Sequence, residues 1–511
     1  MKNIYYIISF IICAGFIFTS CDDSTIELDP IGDTEAGFFQ TEDQMTQAVL
    51  GVYQKVTFFY TFRGGQNNFL QGIWQLPSDD LTTEANHAYE FFSGLNGNNG
   101  QLNNFYRFSY QLISRANTLL EKIEENGTIA YENQPELRDY HRGEALFLRS
   151  WMYFRLWNTY GTAPLVKERI VALENAFPPN SQGTELLDQA INDLEEAAQL
   201  LPEIWDDANS GRVTRNSALG FRGKILVFRG TVAGDNTDFI SAIQDFDAMN
   251  GVSLTANYGD NFNAAMENNE ESLFEFQANN QSSMNNAFLD NDSFAVVGDI
   301  GAYYGQFARR PTWIGNAVYS ATPSLINEFD KEDPRINYIF DMEPGLVTNV
   351  VKYIKDGNWT DAPGGANGSS RNNPRILRYA DVLLLKAEAI VRSGGNLSDA
   401  ITIINQIRER ARMSVENGIP SPEPADYSLS GMDDNTVLDW IFKERRMELA
   451  CEEGHRWYDL RRRHMAGEID LLTWDFDSKR IDLEFEDYHV NFPLPEIEVI
   501  ENENMNQNAG Y

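Results

Sequence analysis

Apolar residues recur at spacings of three and four along most of the chain, the pattern of helices that bury one face. Thr41 followed by Glu42-Asp43 sets a helix start, and Met45, Val49, Val52, Tyr53 and Val56 supply its apolar side. Phe105, Phe108, Leu112, Ala116, Leu119 and Ile123 predict a second helix. A third runs from Pro135 to about Trp157, where Tyr140, Leu146, Trp151, Phe154 and Trp157 make an aromatic stripe that reads as core. Leu187, Ile191, Leu194, Ala198 and Leu201 line a helix that ends at Pro202, and Ala218, Phe221, Ile225 and Phe228 line the next, ending near Gly230. The clearest pair is Tyr379–Ser393 and Ser398–Arg412, joined by a Gly394-Gly395 turn; together they span 34 residues, the period of a tetratricopeptide repeat. Helix pairs with short turns predict a mainly α fold, tetratricopeptide-like helix pairs forming a right-handed helical scaffold.

Three stretches break this pattern. Residues 57–104, 252–376 and 414–432 are rich in Asn, Gly, Ser and aromatics, with no helical period. Loops of that length in a folded chain are functional or disordered, and the embedded Trp74, Tyr89, Phe91, Tyr303, Tyr304, Trp313 and Trp359 argue against disorder.

The first residues add a location. Met1-Lys2, an apolar run from Ile4 to Phe18 too short for a comfortable membrane span, and then Phe18-Thr19-Ser20-Cys21-Asp22-Asp23 read as an export signal. The small residue before Cys21 resembles a bacterial lipobox, which would place a diacylglycerol on Cys21 and anchor the mature chain without spanning the bilayer. Of three cysteines only Cys451 would then remain unmodified, so core burial and not a disulfide must hold the fold. The net charge of −36 excludes nucleic acid as a natural ligand and leaves membrane attachment to the lipid and a partner protein. The expected organisation is a signal peptide over 1–20, a lipidated tether over 21–37 and one domain over 38–511, with loops 57–104 and 252–376 carrying a ligand face.

Several motifs stand in a fixed order. Glu144-Ala145-Leu146-Phe147-Leu148-Arg149 leads through Tyr153-Phe154 and Tyr160-Gly161 to Pro164-Leu165-Val166; Asp193-Leu194 precedes Gly211-Arg212-Val213-Thr214. Arg378-Tyr379-Ala380-Asp381-Val382-Leu383-Leu384 and Asn405-Gln406-Ile407-Arg408-Glu409-Arg410-Ala411 follow. Then come Glu444-Arg445-Arg446, Glu448-Leu449, Glu453-Gly454, Arg456-Trp457 and Asp459-Leu460-Arg461-Arg462, and a tail of Phe492-Pro493-Leu494-Pro495 ending Gln507-Asn508-Ala509-Gly510-Tyr511. This succession resembles the SusD/RagB family of surface lipoproteins, with Ala509 where the family has proline. The resemblance implies an outer-membrane, lipid-anchored protein on the cell exterior that captures an oligosaccharide and passes it to a SusC-like TonB-dependent transporter. Relatives that bind peptide or glycopeptide keep that alternative open.

Enzymatic signatures are missing from the sequence. Five histidines form no H-E-x-x-H, and no nucleophile elbow, Walker loop or dinucleotide fingerprint is present. A surface glycoside hydrolase needs only two nearby carboxylates, which 76 acidic residues leave open; Asp79-Asp80 is the pair that stands out, as an acid pair, solvated loop acids or a weak calcium set. No catalytic residue, metal ligand or cofactor is expected beyond the lipid on Cys21, and calcium has no support beyond that pair. The charged residues of 437–462 read as a structural network. Sugar recognition needs flat aromatics rimmed by amides and charged groups. Two loop regions supply them: 74–100, with Trp74, Asp80, Asn86 and Tyr89, and 299–316, with Tyr303, Tyr304, Arg309 and Trp313. The resemblance points to the same loops.

Overall fold

The computed structural model describes residues 35, 37–60, 70–83, 87–278, 319–355, 359–361, 368–370, 372–429, 431–476 and 483–511. Helix α1 (Glu42–Gln54) begins where Thr41 places it. The Thr41 hydroxyl accepts from the Gln44 backbone N–H while Gln44 Oε1 accepts from the Thr41 N–H at 3.1 Å, a reciprocal cap that satisfies two otherwise orphaned donors. Short elements follow: α2 (Thr57–Tyr60), α3 (Gly72–Gln75), β1 (Leu81–Thr82) and α4 (Ala88–Phe91). The two long helices α5 (Gly100–Ala130) and α6 (Pro135–Tyr160) extend beyond their apolar stripes, α5 capped by the Asn99 side chain and α6 opened by Pro135, whose missing N–H would have had no partner. Then come α7 (Glu185–Leu200), α8 (Arg215–Ala233) and α9 (Asn236–Asp247).

The region between α9 and the next long helix holds β2 (Ser272–Glu275), β3 (Ser320–Ala321), α10 (Pro323–Glu328), α11 (Ile336–Ile339), β4 (Trp359–Asp361), β5 (Gly368–Ser370) and β6 (Arg375–Arg378). Among the described residues these strands make three two-stranded antiparallel sheets, β1–β3, β2–β6 and β4–β5. The chain continues through α12 (Tyr379–Arg392), α13 (Leu397–Met413), α14 (Asp434–Glu448), α15 (His455–Met465) and α16 (Glu496–Glu501). Gly394, at φ +74°, makes the α12–α13 turn that a side chain would strain.

Helix α1 packs on α5, α6 on α7, α8 on α9 and α12 on α13, while α5–α6, α7–α8 and α9–α12 join each pair to the next. The fold is therefore mainly α, a continuous stack of helix pairs. Its core holds the aromatic stripe of α6: Trp151 meets Phe59 and Phe274 edge-on at 5.7 Å each, and Phe154 meets Phe221 at 5.3 Å and Phe228 at 5.1 Å. Tyr140 departs from the stripe and lies half-buried against Trp205 at 5.4 Å. Helix α9 was absent from the expectation, which stopped α8 at Gly230. Gly234, with φ +68°, ends α8 instead, and Asp235 caps the new helix.

The recurring motifs find one another in space. Glu144 accepts from Arg212 at 2.7 and 2.5 Å and from Tyr53 at 2.9 Å, and Arg149 pairs with Asp193 at 2.7 and 2.8 Å, so the first two motifs clamp α6 to α7 and to the start of α8. Of the charges of 437–462, Glu444, Arg445, Glu448, Glu452, Asp459 and Arg462 are buried in two lattices. In one, Arg335, Arg378, Arg408, Arg410 and Lys352 oppose Asp333, Glu271, Glu444, Glu448 and Glu452. In the other, Lys224, Arg445 and Arg462 oppose Asp381, Asp459 and Glu388, with Arg392 at the rim. Every cation of these two lattices has a carboxylate within hydrogen-bond reach, the condition under which ions tolerate burial. Near the amino end, Glu35 meets Arg169 at 2.6 and 2.8 Å and Lys122 at 3.2 Å, so this residue of the expected tether is held to the scaffold.

Candidate functional site

The β1–β3 ladder joins the two loop regions singled out in the sequence. Leu81 pairs with Ala321 and Thr82 with Ser320. Beside the ladder the Thr322 N–H donates to the Asp80 carbonyl at 2.9 Å, and the Thr322 hydroxyl donates to the Asp79 carbonyl, 243 positions away in sequence, at 2.6 Å. The second sheet partner comes from Asn349, bridged to Ser320. Segment 74–100 is thus tied to Ser320-Ala321-Thr322, which follow the second region in sequence.

Beneath the ladder lies an acid–arginine floor. Arg456 forks onto Asp79 at 2.7 and 2.8 Å, and the Trp474 indole N–H donates to the same carboxylate at 3.2 Å. Arg446 donates to Asp80 at 2.8 Å, to Glu328 at 2.9 Å and to Ser324 at 2.9 Å. Burial pushes both carboxyls up; the Arg456 and Arg446 guanidiniums nevertheless hold Asp79 well below the usual carboxylate range, whereas Asp80, with the Asp79 charge beside it, stays raised. On the helix α4 side, Glu90 accepts from the Thr82 hydroxyl at 2.7 Å and from the Thr83 N–H at 3.1 Å, which ties the strand end to the helix.

Three of the residues expected to contact ligand are part of the core. Trp74 is 1 % exposed: its ring lies 3.8 Å from the Arg155 guanidinium, within 6.3 Å of Tyr60 and 6.1 Å of Phe105. Gly454 allows the close approach, since a Cβ there would stand 2.9 Å from the Trp74 backbone oxygen. Tyr89 is fully buried, its hydroxyl 3.1 Å from His87 Nδ1 and its ring stacked on the His87 imidazole at 5.1 Å. Asp80 is 4 % exposed and committed to Arg446. These side chains shape the floor and offer no face to a ligand. Asn86, Tyr303, Tyr304, Arg309 and Trp313 lie outside the described residues, as does Cys21.

The same floor answers the question raised by Asp79-Asp80. Both carboxylates face arginines, so the pair is neither an open calcium set nor a free acid–base couple; among the described residues no three His, Cys, Asp or Glu side chains gather to hold a metal ion. Trp474 is the residue the sequence analysis missed. It is half-buried and its ring centroid stands 5.7 Å from the Arg456 guanidinium. Its signal was an aromatic in Leu471-Leu472-Thr473-Trp474-Asp475, a short stretch a few residues after α15.

With that geometry in view, comparison with known proteins is informative. A family model described as "SusD family" matches residues 242–511, and one described as "Starch-binding associating with outer membrane" matches 36–227. The chain belongs to the SusD family. It is similar to "SusD-like protein P38" of Formosa agariphila, 26 % identical over 567 aligned positions that cover 100 % of this chain and 99 % of that one. Among solved structures, a SusD homolog from Bacteroides thetaiotaomicron superposes with a TM-score of 0.75 at 20 % identity over 94 % of this chain and 99 % of the other. A protein described as "Laminarin binding SusD-like protein" superposes with a TM-score of 0.69 at 23 % identity, over 92 % of this chain and 100 % of its own.

Proposed function

We propose that this chain is a surface glycan-binding protein that captures an oligosaccharide at the β1–β3 face and delivers it to a SusC-like TonB-dependent transporter in the outer membrane. The observation that supports the reading is the ladder itself, which ties the aromatic- and amide-rich segment 74–100 to Ser320-Ala321 over the Asp79–Arg456 and Asp80–Arg446 floor. Recognition loops held by a stiff scaffold are how a binding surface is made selective at small entropic cost. The family descriptions and the laminarin-binding relative support a sugar as the ligand. The binding role without covalent chemistry is supported by the neutralised acid pair. In this reading residues 1–20 are the signal peptide, lipid on Cys21 anchors the mature chain on the cell exterior, and 38–511 is the binding domain.

In the described part of the face, Trp474 offers a half-exposed indole; Tyr303, Tyr304, Arg309, Trp313 and Asn86 are proposed as the further contacts. A broad glycan array followed by calorimetry tests the proposal. Trp313→Ala is expected to cost about 1–3 kcal/mol of binding with an unchanged melt. An array without a single glycan ligand, or a reducing-end release by the purified protein, refutes it.

A further inference from the structure

A cleft of about 650 Å³ opens on another part of the scaffold, between α5, segment 164–178 and α16, and includes no residue of the β1–β3 face. Its aromatic wall is Tyr106 and Tyr110, ring centroids 4.6 Å apart and tilted by 46°. The Tyr110 hydroxyl donates to the Pro164 carbonyl at 2.5 Å, which fixes that ring before any ligand arrives. Arg107 and Ser114 lie exposed on the same side of α5, one turn either way from Tyr110.

The opposite wall is acidic. Glu498 and Glu501 of α16 face the tyrosines, and burial with Glu501 alongside pushes the Glu498 carboxyl above its ordinary value. Lys55 and Arg115 also line the cleft, the first buried and donating to Gln111 at 3.0 Å, the second half-buried and donating to the Gly51 carbonyl at 2.8 Å and to Gln54 at 3.1 Å. These side chains constrain the occupant. Of the three lining cations only Arg107 is exposed, so phosphate, sulfate or a uronic acid would set that one guanidinium against the two exposed carboxylates across the cleft. A purely apolar guest would strip water from them and from Arg107 without replacing its hydrogen bonds. A neutral polyhydroxylated ring satisfies both: its C–H face lies on a phenol ring, and its hydroxyls donate to Glu498 and accept from Arg107 and Ser114. The volume falls in the range of about 300–1,000 Å³ typical of small-ligand sites.

From these features we infer that the α5–α16 cleft is a second carbohydrate subsite, holding one or two neutral sugar units. The inference rests on the glycan-binding reading given above. It is tested by calorimetry on the full-length mature chain with maltoheptaose, laminarihexaose and xylohexaose as probes. Ser114→Trp fills the cleft from an exposed helix position, and Glu498→Gln keeps the shape of the acidic wall while removing its charge. Thermal melts confirm that both variants fold. The expected result is two sites in the wild type, one site in Ser114→Trp, and about tenfold weaker occupancy of the cleft in Glu498→Gln, whose strongest acceptor is lost. Trp313→Ala should remove the other site. One site, untouched by both cleft variants but lost in Trp313→Ala, overturns the second subsite and leaves the proposed function standing. Absence of binding to all three probes overturns both.

Discussion

Glu388 shows how tightly the buried lattice is balanced. Its two oxygens accept from Arg462 at 2.5 and 2.6 Å, and one of them also accepts from Arg392 at 2.7 Å. Full burial pushes the carboxyl up, yet the Arg462 and Arg392 charges win and hold it down at about 2 against an ordinary 4.5. That difference favours the ionised form by roughly 3 kcal/mol. Glu388→Gln keeps the volume, removes the charge and turns an amide N–H toward guanidinium donors. Arg462 retains Asp459 at 2.8 Å and Thr231 at 3.0 Å, so it is weakened and not abandoned. The expected loss is therefore about 3–4 kcal/mol, the lower part of the range for breaking a buried pair. Equilibrium denaturation in urea reads it as a lowered midpoint at unchanged slope, and a thermal scan as a drop on the order of 1 °C per kcal/mol for so long a chain. Arg462→Met made on top of Glu388→Gln should cost about 1–3 kcal/mol less than Arg462→Met alone, because the two side chains share one interaction. A Glu388→Gln protein within about 0.5 kcal/mol of the wild type would refute the view that the lattice is tuned for charge.

Further expectations follow from the same geometry. Trp74→Ala should destabilise by about 3–5 kcal/mol, since it empties a fully packed site over Arg155, whereas an unchanged melt with lost glycan binding would return Trp74 to the ligand face. Glu388 and Glu448 both stand at about 2 in the folded chain, below their unfolded value; the stability they contribute is present above about pH 4.5 and is lost as pH falls toward 2. Thermal melts from pH 7 to pH 3 should therefore drop below about pH 4.5, and a flat profile contradicts the assignment. Cys21→Ala should abolish metabolic lipid labelling and release the protein from the outer-membrane fraction; a labelled, membrane-bound variant means that the anchor lies elsewhere.

What the sequence made legible follows from the length scale of each signal. Stripes over four or more turns, such as 105–123 and 379–412, located their helices because many positions repeat one spacing. Strands of two to four residues carry too few alternations, so the ladders escaped notice although β1–β3 organises the face. The motif block 444–462 announced buried charge correctly, because arginines and acids at helical spacing beside Leu449, Trp457 and Leu460 must find partners or stay outside. Trp74 and Tyr89 misled for a physical reason. Each sits in an Asn- and Gly-rich stretch that looks exposed, yet what buries them includes residues remote in sequence: Arg155 and Gly454 against Trp74, and Tyr319 near Tyr89. Local composition cannot report such distant cover.

The charge pairing within the two lattices, Arg392 at the rim aside, has a consequence outside them. Eight interior cations cancel eight interior carboxylates there, so these buried networks contribute nothing to the net charge of −36. Such a molecule surrounds itself with a cation atmosphere about 8 Å deep at physiological ionic strength. Alginate-like or sulfated chains would pay repulsion at every approach, and uncharged glucans or xylans none. Dilution of salt should consequently slow the arrival of anionic polysaccharides and leave that of neutral ones unaltered, so the protein's own surface sorts polymers by charge before any side chain touches them.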